Sequence, residues 1–184
     1  MIEETAAEEV IERFRMKFLN STRGCTVRTD VPELLIAGHK IGPFQSGSRV
    51  DLPNWVIESL TKHDLVDIVP EDNYESLKNL QVLYNNEEDQ PHKLQPFHPL
   101  LYSALSRKML QLQSDKTSLD PRRYDEIENM QRMIPFLVET RLSKIMRVAK
   151  SGAYQDKRKQ MTNEERWLCE KLSNILSIWR KTVE

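Results

Sequence analysis

The sequence predicts a mainly α chain, a helical-bundle domain preceded by a small β-rich domain, and three observations carry that prediction. Between Leu34 and Pro70, short apolar runs alternate with breakers, and this stretch holds three of the five glycines together with Pro43, Pro53 and Pro70. From Glu71 onward the apolar residues instead recur three and four residues apart, the period of a helix with one buried face. Finally, 184 residues of which 39% are hydrophobic are enough for one or two small domains that fold without staples.

Composition narrows the function classes. The 27 basic and 28 acidic residues leave a formal net charge of -1, which argues against a chain whose main task is to coat nucleic acid. Cys25 and Cys169 have no metal or redox spacing, so a reducing, cytoplasmic compartment is expected, or the nucleus in a eukaryote. No segment approaches the roughly 18 apolar residues that a membrane span needs. The acidic start does not read as a secretory signal.

In chain order, residues 1–20 form an amphipathic helix with Ala7, Val10, Ile11, Phe14 and Phe18 on one side, early glutamates and late basic residues. Its stripe is read as docking on the chain's own core, with a partner-binding arm as the alternative. Residues 21–70 form the β-rich domain. Cys25-Thr26-Val27 is a first strand expected to pair with Leu34–Ala37, and Cys25 reads as a small buried residue. Arg49-Val50-Asp51-Leu52 alternates with period two and predicts a half-buried strand. Pro53 to Leu60 predicts a short helix opened by its proline, and Leu65–Val69 a closing strand.

Residues 71–98 read as a connecting helix, Glu71–Asn85, followed by an exposed linker around Pro91 and Pro96. His92 and His98 lack partners at ligand spacing, so no metal site is expected. The helical domain then occupies 99–184. Leu101, Leu105, Met109 and Leu112 give its first helix a stripe. Asp120 as cap and Pro121 as first helical residue open the longest helix, which runs to about Lys150 with a kink or break expected before Pro135. Ser151–Gln160 is expected to be a mobile loop. Thr162 and Glu165 form a capping box for the last helix, whose stripe is Leu168, Leu172, Ile175, Leu176 and Trp179.

The order of several short motifs resembles a known family. Gly42-Pro43-Phe44, a spacer, the strand ending in Leu52-Pro53-Asn54-Trp55, and a short helix followed by a strand ending in proline resemble the small β domain of a GINS complex subunit. Phe97-His98-Pro99, the Arg141-x-x-Lys144-Ile145 segment and the Glu164-Glu165-x-x-Leu168-x-x-x-Leu172 helix resemble the helical domain of the same family. The resemblance covers roughly 34–179 and is to the β-domain-first, archaeal-type class. The helix of residues 1–20 and Pro135 depart from the pattern.

What the resemblance implies is a non-catalytic scaffold in DNA replication. It pairs with an α-domain-first GINS subunit in a two-plus-two tetramer and holds the MCM helicase and a RecJ-like protein, with weak DNA contact. No cofactor is implied. The interface residues expected are Met130, Ile134, Leu137, Trp167 and Trp179, and the surface for partners or DNA is Arg141, Lys144, Arg147, Lys157 and Arg158. The residues themselves offer no glycine-rich phosphate loop, no H-E-x-x-H and no nucleophile elbow. The rival reading is a stand-alone DNA-binding module that uses the basic stretch from Arg141 to Arg158.

Overall fold

The computed structural model describes residues 2–114 and 121–183. The chain is mainly helical with small sheets, and it divides into two compact units, Met1–Tyr74 and Glu75–Glu184. Asp120, the expected cap of the long helix, lies outside the described residues.

The first unit opens with α1 (Ile2–Asn20), which packs on α2 (Asn54–Thr61). Strand β1 (Thr22–Val27) is central in an antiparallel sheet of order β4-β1-β5, where β4 is Arg49–Pro53 and β5 is Val66–Ile68. Cys25 sits opposite both Val50 and Ile68. A two-stranded ribbon joins β2 (Leu34–Ile36) to β3 (His39–Ile41). The expected pairing of Cys25–Val27 with Leu34–Ala37 is therefore corrected. Ala37 and Gly38 both take positive φ, 48° and 82°, and such a two-residue turn folds β2 back on the very next residues. A local partner closes sooner than a distant one.

Cys25, Val27, Leu52, Val56, Ile57, Leu60 and Val66 form the buried core between this sheet and α2. The alternation in β4 appears as expected, with Arg49 and Asp51 exposed and Leu52 buried. Gly42 is the backbone position with least freedom here. It has φ +89°, and a Cβ added to it would meet the Pro32 carbonyl oxygen at 2.9 Å, whereas Gly38 has open space around it. Gly42→Ala is therefore expected to lose more than the roughly 1–2 kcal/mol that a left-handed alanine costs by itself. Gly38→Ala should pay only that backbone cost, and urea midpoints of the two variants check the order.

Between the units' elements, Pro70–Asp72 forms a 3-10 turn and helix α3 starts only at Leu77, running to Asp89 (Leu77–Asp89). A helix from Glu71 was expected, but Asp72 Oδ2 instead accepts from the Gly24 backbone N–H at 2.8 Å, which holds this turn against β1. Ser76 then caps α3 by accepting from Asn79 N.

In the second unit α3, α4 (Leu101–Ser114) and α7 (Asn163–Val183) each pack on α5 (Pro121–Ser151). The expected break at Pro135 is absent, since α5 runs through it. Pro135 and Gln131 are both exposed, so water can satisfy the carbonyl that the proline leaves without a donor. The expected mobile loop also has structure: α6 (Tyr154–Lys157) and a 3-10 turn at Arg158–Gln160 lead into α7. No helix among the described residues is long and apolar enough to cross a membrane.

Candidate subunit interface and the charge cluster behind it

Four charged side chains meet inside the helical unit. Arg141 is 0% exposed, Lys144 2%, Glu87 0% and Glu165 3%. Arg141 Nη2 donates to Glu165 Oε2 at 2.7 Å and Nε to Oε1 at 2.8 Å, a two-pronged pairing, while Nη1 reaches Glu87 Oε1 at 3.2 Å. Lys144 Nζ donates to the other Glu87 oxygen. Two cations and two carboxylates balance, the condition under which charge can stay buried. The Arg141 guanidinium also lies 4.0 Å from the Phe97 ring centre. Burial alone would lower the Arg141 pKa, but the Glu165 and Glu87 carboxylates outweigh it and raise it above the usual arginine value.

This cluster corrects the expectation that Arg141 and Lys144 form a basic outer edge. Both lie on the inward stripe of α5, in line with Leu137 and Val148 at spacings of four, three and four. That spacing was the available signal. Their partners are not marked in the sequence, where Glu87 falls in the expected linker and Glu165 reads only as a cap. Glu165 does both jobs: its backbone N–H donates to Thr162 Oγ1 at 3.1 Å, and its Oε2 accepts from Thr162 N at 3.0 Å. The Tyr102 hydroxyl also donates to Glu165 at 2.8 Å. Burial and that neighbouring carboxylate push the Tyr102 phenol well above its ordinary pKa.

The same cations tie down the segment that was expected to be an exposed linker. Arg141 Nη1 donates to the Gln95 carbonyl at 2.7 Å and Lys144 Nζ to the Gln90 carbonyl at 2.8 Å. Arg147 Nη2 donates to the Pro91 carbonyl at 2.7 Å, and its other nitrogen lies 2.9 Å from His92 Nδ1. Leu94 and Phe97 are buried beneath these bonds. Three basic residues on one helix thus serve a neighbouring segment of their own chain.

Of the expected interface residues, Met130 and Leu137 are buried within the unit and cannot contact a partner as it stands. Each faces inward on α5, where α3 and α4 also pack. Ile134 and Trp167 are half-buried, and Trp179 is 61% exposed. Ile175, Ile178, Trp179 and Val183 are all exposed on the distal half of α7, and of these sequence reasoning missed Val183. Among the expected surface cations, Lys157 and Arg158 are exposed on α6 and the turn after it, and Arg147 is exposed while bonded as above. Among the described residues no group of histidine, cysteine or acidic side chains could hold a metal ion.

Cys25 and Cys169 are both free and buried. Burial pushes the Cys25 thiol up to about 11, so it is protonated and unreactive at neutral pH.

A search of curated proteins finds no match. The family model for the GINS complex protein helical bundle domain, Sld5, matches residues 74–184. The matched span coincides closely with the second unit, including the buried Arg141 cluster and the whole of α7. That span is more than half of the chain, and the chain accordingly belongs to the GINS complex protein family of DNA replication.

Proposed function

We propose that the chain is the β-domain-first subunit of an archaeal-type GINS complex. In this reading it pairs with an α-domain-first subunit in a two-plus-two tetramer and works as a non-catalytic scaffold that joins the MCM helicase to a RecJ-like protein. The observation that carries the reading is the apolar run Ile175, Ile178, Trp179 and Val183, exposed within the very domain that matches the family. Four large apolar side chains on nine residues of one helix are more than scattered surface residues, and tryptophan is a frequent interface anchor. The order of the units, strands first and bundle second, supports the β-first assignment.

The reading as a stand-alone DNA-binding module loses two of its main residues, since Arg141 and Lys144 are buried against carboxylates. Light scattering on the purified chain, alone and with an α-domain-first GINS subunit of the same organism, tests the proposal. A mixed tetramer is expected. A well-folded monomer under both conditions would overturn it.

A further inference from the structure

The Gly42-Pro43-Phe44 motif lies in the first unit, outside the residues that match the family, and takes no part in the subunit contact proposed above. It builds an open cleft instead. Asp30, Val31 and Pro32 line one side of that cleft, and Pro43, Phe44 and Gln45 line the other. Val31 and Phe44 exchange both backbone hydrogen bonds at 2.8 Å, which ties the two walls together. Gly42 lets them approach, since a Cβ there would meet the Pro32 carbonyl oxygen at 2.9 Å. Val31 is buried and Phe44 packs against the buried core, so the cleft is anchored to the interior of its unit. Pro32 and Pro43 add two exposed, rigid, apolar rings.

One charge belongs to this cleft. Asp30 Oδ1 accepts from the Ser46 backbone N–H at 2.7 Å, and Ser46 Oγ donates to the Arg28 carbonyl at 2.8 Å, so the carboxylate is held in place by one oxygen. Its other oxygen bonds to no described residue, and no cation among the described residues pairs with Asp30. The neighbouring charges are already matched: Arg28 with Asp64 and Asp67, and Lys40 with Glu33. A fixed, uncompensated carboxylate beside apolar rings fits a side chain with a long apolar stem and a cationic head. It repels phosphate, and so does not fit nucleic acid. Of the two long basic side chains, arginine matches better. Its planar guanidinium lies flat on rings while its forked N–H groups reach a carboxylate, and it is more weakly hydrated than the lysine ammonium. We propose that this cleft is the docking pocket for an arginine side chain presented by a segment of another protein, with the guanidinium on the free Asp30 oxygen and the stem across Pro32, Pro43 and Phe44. The inference goes beyond the scaffold reading and stands without it.

Backbone amide shifts of the isotope-labelled full chain are followed by NMR during titration with N-acetylarginine methylamide and, in parallel, with its citrulline analogue, which has the same shape and no charge. Saturable shifts centred on Val31, Phe44, Gln45 and Ser46 are expected. Arginine should bind about fivefold more tightly than citrulline, the margin of a partly solvated charge-assisted bond over a neutral one, and added salt should shrink that margin. Asp30→Asn keeps an acceptor for the Ser46 N–H and should bring arginine binding down to the citrulline level. Because Asp30 is exposed, the variant should melt as the wild type does. If it does not, the comparison of the two probes on the wild-type chain still decides the inference. Equal binding of the two probes, arginine binding unchanged by Asp30→Asn, or shifts confined to the helical unit would each overturn it. So would a self-dimer that Asp30→Asn dissolves, because that outcome puts a second copy of the chain in the cleft.

Discussion

Glu87→Gln is expected to lower the unfolding free energy by about 3–5 kcal/mol, the range seen when one partner of a buried ion pair is removed. Glu87 is completely buried and bonds both Lys144 and Arg141, so the substitution leaves two cations facing a single carboxylate, Glu165. Glutamine keeps the shape but turns one accepting oxygen into a donor aimed at a cation. The contrast is Glu33→Gln, because the Glu33 pairing with Lys40 at 2.8 Å lies at the surface with both side chains more than half exposed. Such pairs contribute about 0–1 kcal/mol. Urea denaturation of the two variants gives the comparison directly. A loss below about 1 kcal/mol for Glu87→Gln would mean that water reaches the cluster and that its charges are solvated.

The size of that effect explains what the cluster does for the fold. Arg141 and Lys144 face inward on α5 and together hold the carbonyls of Gln90 and Gln95, while Arg141 also takes that of Gln160. The segment between α3 and α4, and the turn that leads into α7, are thereby fixed to one helix. Apolar side chains could fill the same space, but they could not satisfy three carbonyls of irregular backbone. The position of α7, and so of its exposed distal half, depends on these bonds.

What could be read from sequence follows the distance over which each feature is determined. The capping box of Thr162 and Glu165 and the alternation of Arg49 to Leu52 in β4 each span four residues, so both are legible. Proline at the start of α5 was legible for the same reason. The pairing of Arg141 with Glu87 crosses 54 residues and that of Lys144 with Glu87 crosses 57. Nothing local marks such a pair except the position of two cations on an apolar stripe. Read by residue type they belonged to the surface, and read by spacing they belonged to the core. Spacing prevailed, because Glu87 and Glu165 were there to neutralise them.

The interface residues divide along the same line. Met130 and Leu137 look like Trp179 in sequence, each apolar at helical spacing, and what separates them is only whether another element lies opposite. Helices α3 and α4 pack on α5, whereas every residue from Ser177 to Val183 is exposed. The β2–β3 ribbon was missed for a smaller reason. Ala37 occupies a left-handed position that residue type does not announce, so only half of its two-residue turn was visible.

Asn54→Ala is expected to cost about 2–4 kcal/mol, at roughly 1 kcal/mol for each buried hydrogen bond lost and more where a buried group is left without a partner. Asn54 is fully buried at the first position of α2. Its Nδ2 donates to the carbonyls of Phe18 at 2.7 Å and Ser21 at 3.1 Å and to Ser21 Oγ at 3.0 Å, and its Oδ1 accepts from Arg23 Nε. Phe18 and Ser21 bracket the C-terminal end of α1, so this one amide joins α1 and β1 to the start of α2. Asn54→Asp should cost as much or more despite its shape and its proximity to Arg23, because the donor becomes an acceptor facing two carbonyl oxygens. The consequence reaches α1 as a whole. A single helix of 19 residues owes most of its stability to packing. Asn54→Ala should therefore expose α1 to limited proteolysis at concentrations of denaturant where the helical unit stays intact, with cleavage mapped by mass spectrometry to the residues before Phe18. Cleavage no faster than in the wild-type chain would show that the apolar stripe of Val10, Ile11 and Phe14 anchors α1 by itself and that the Asn54 amide is dispensable.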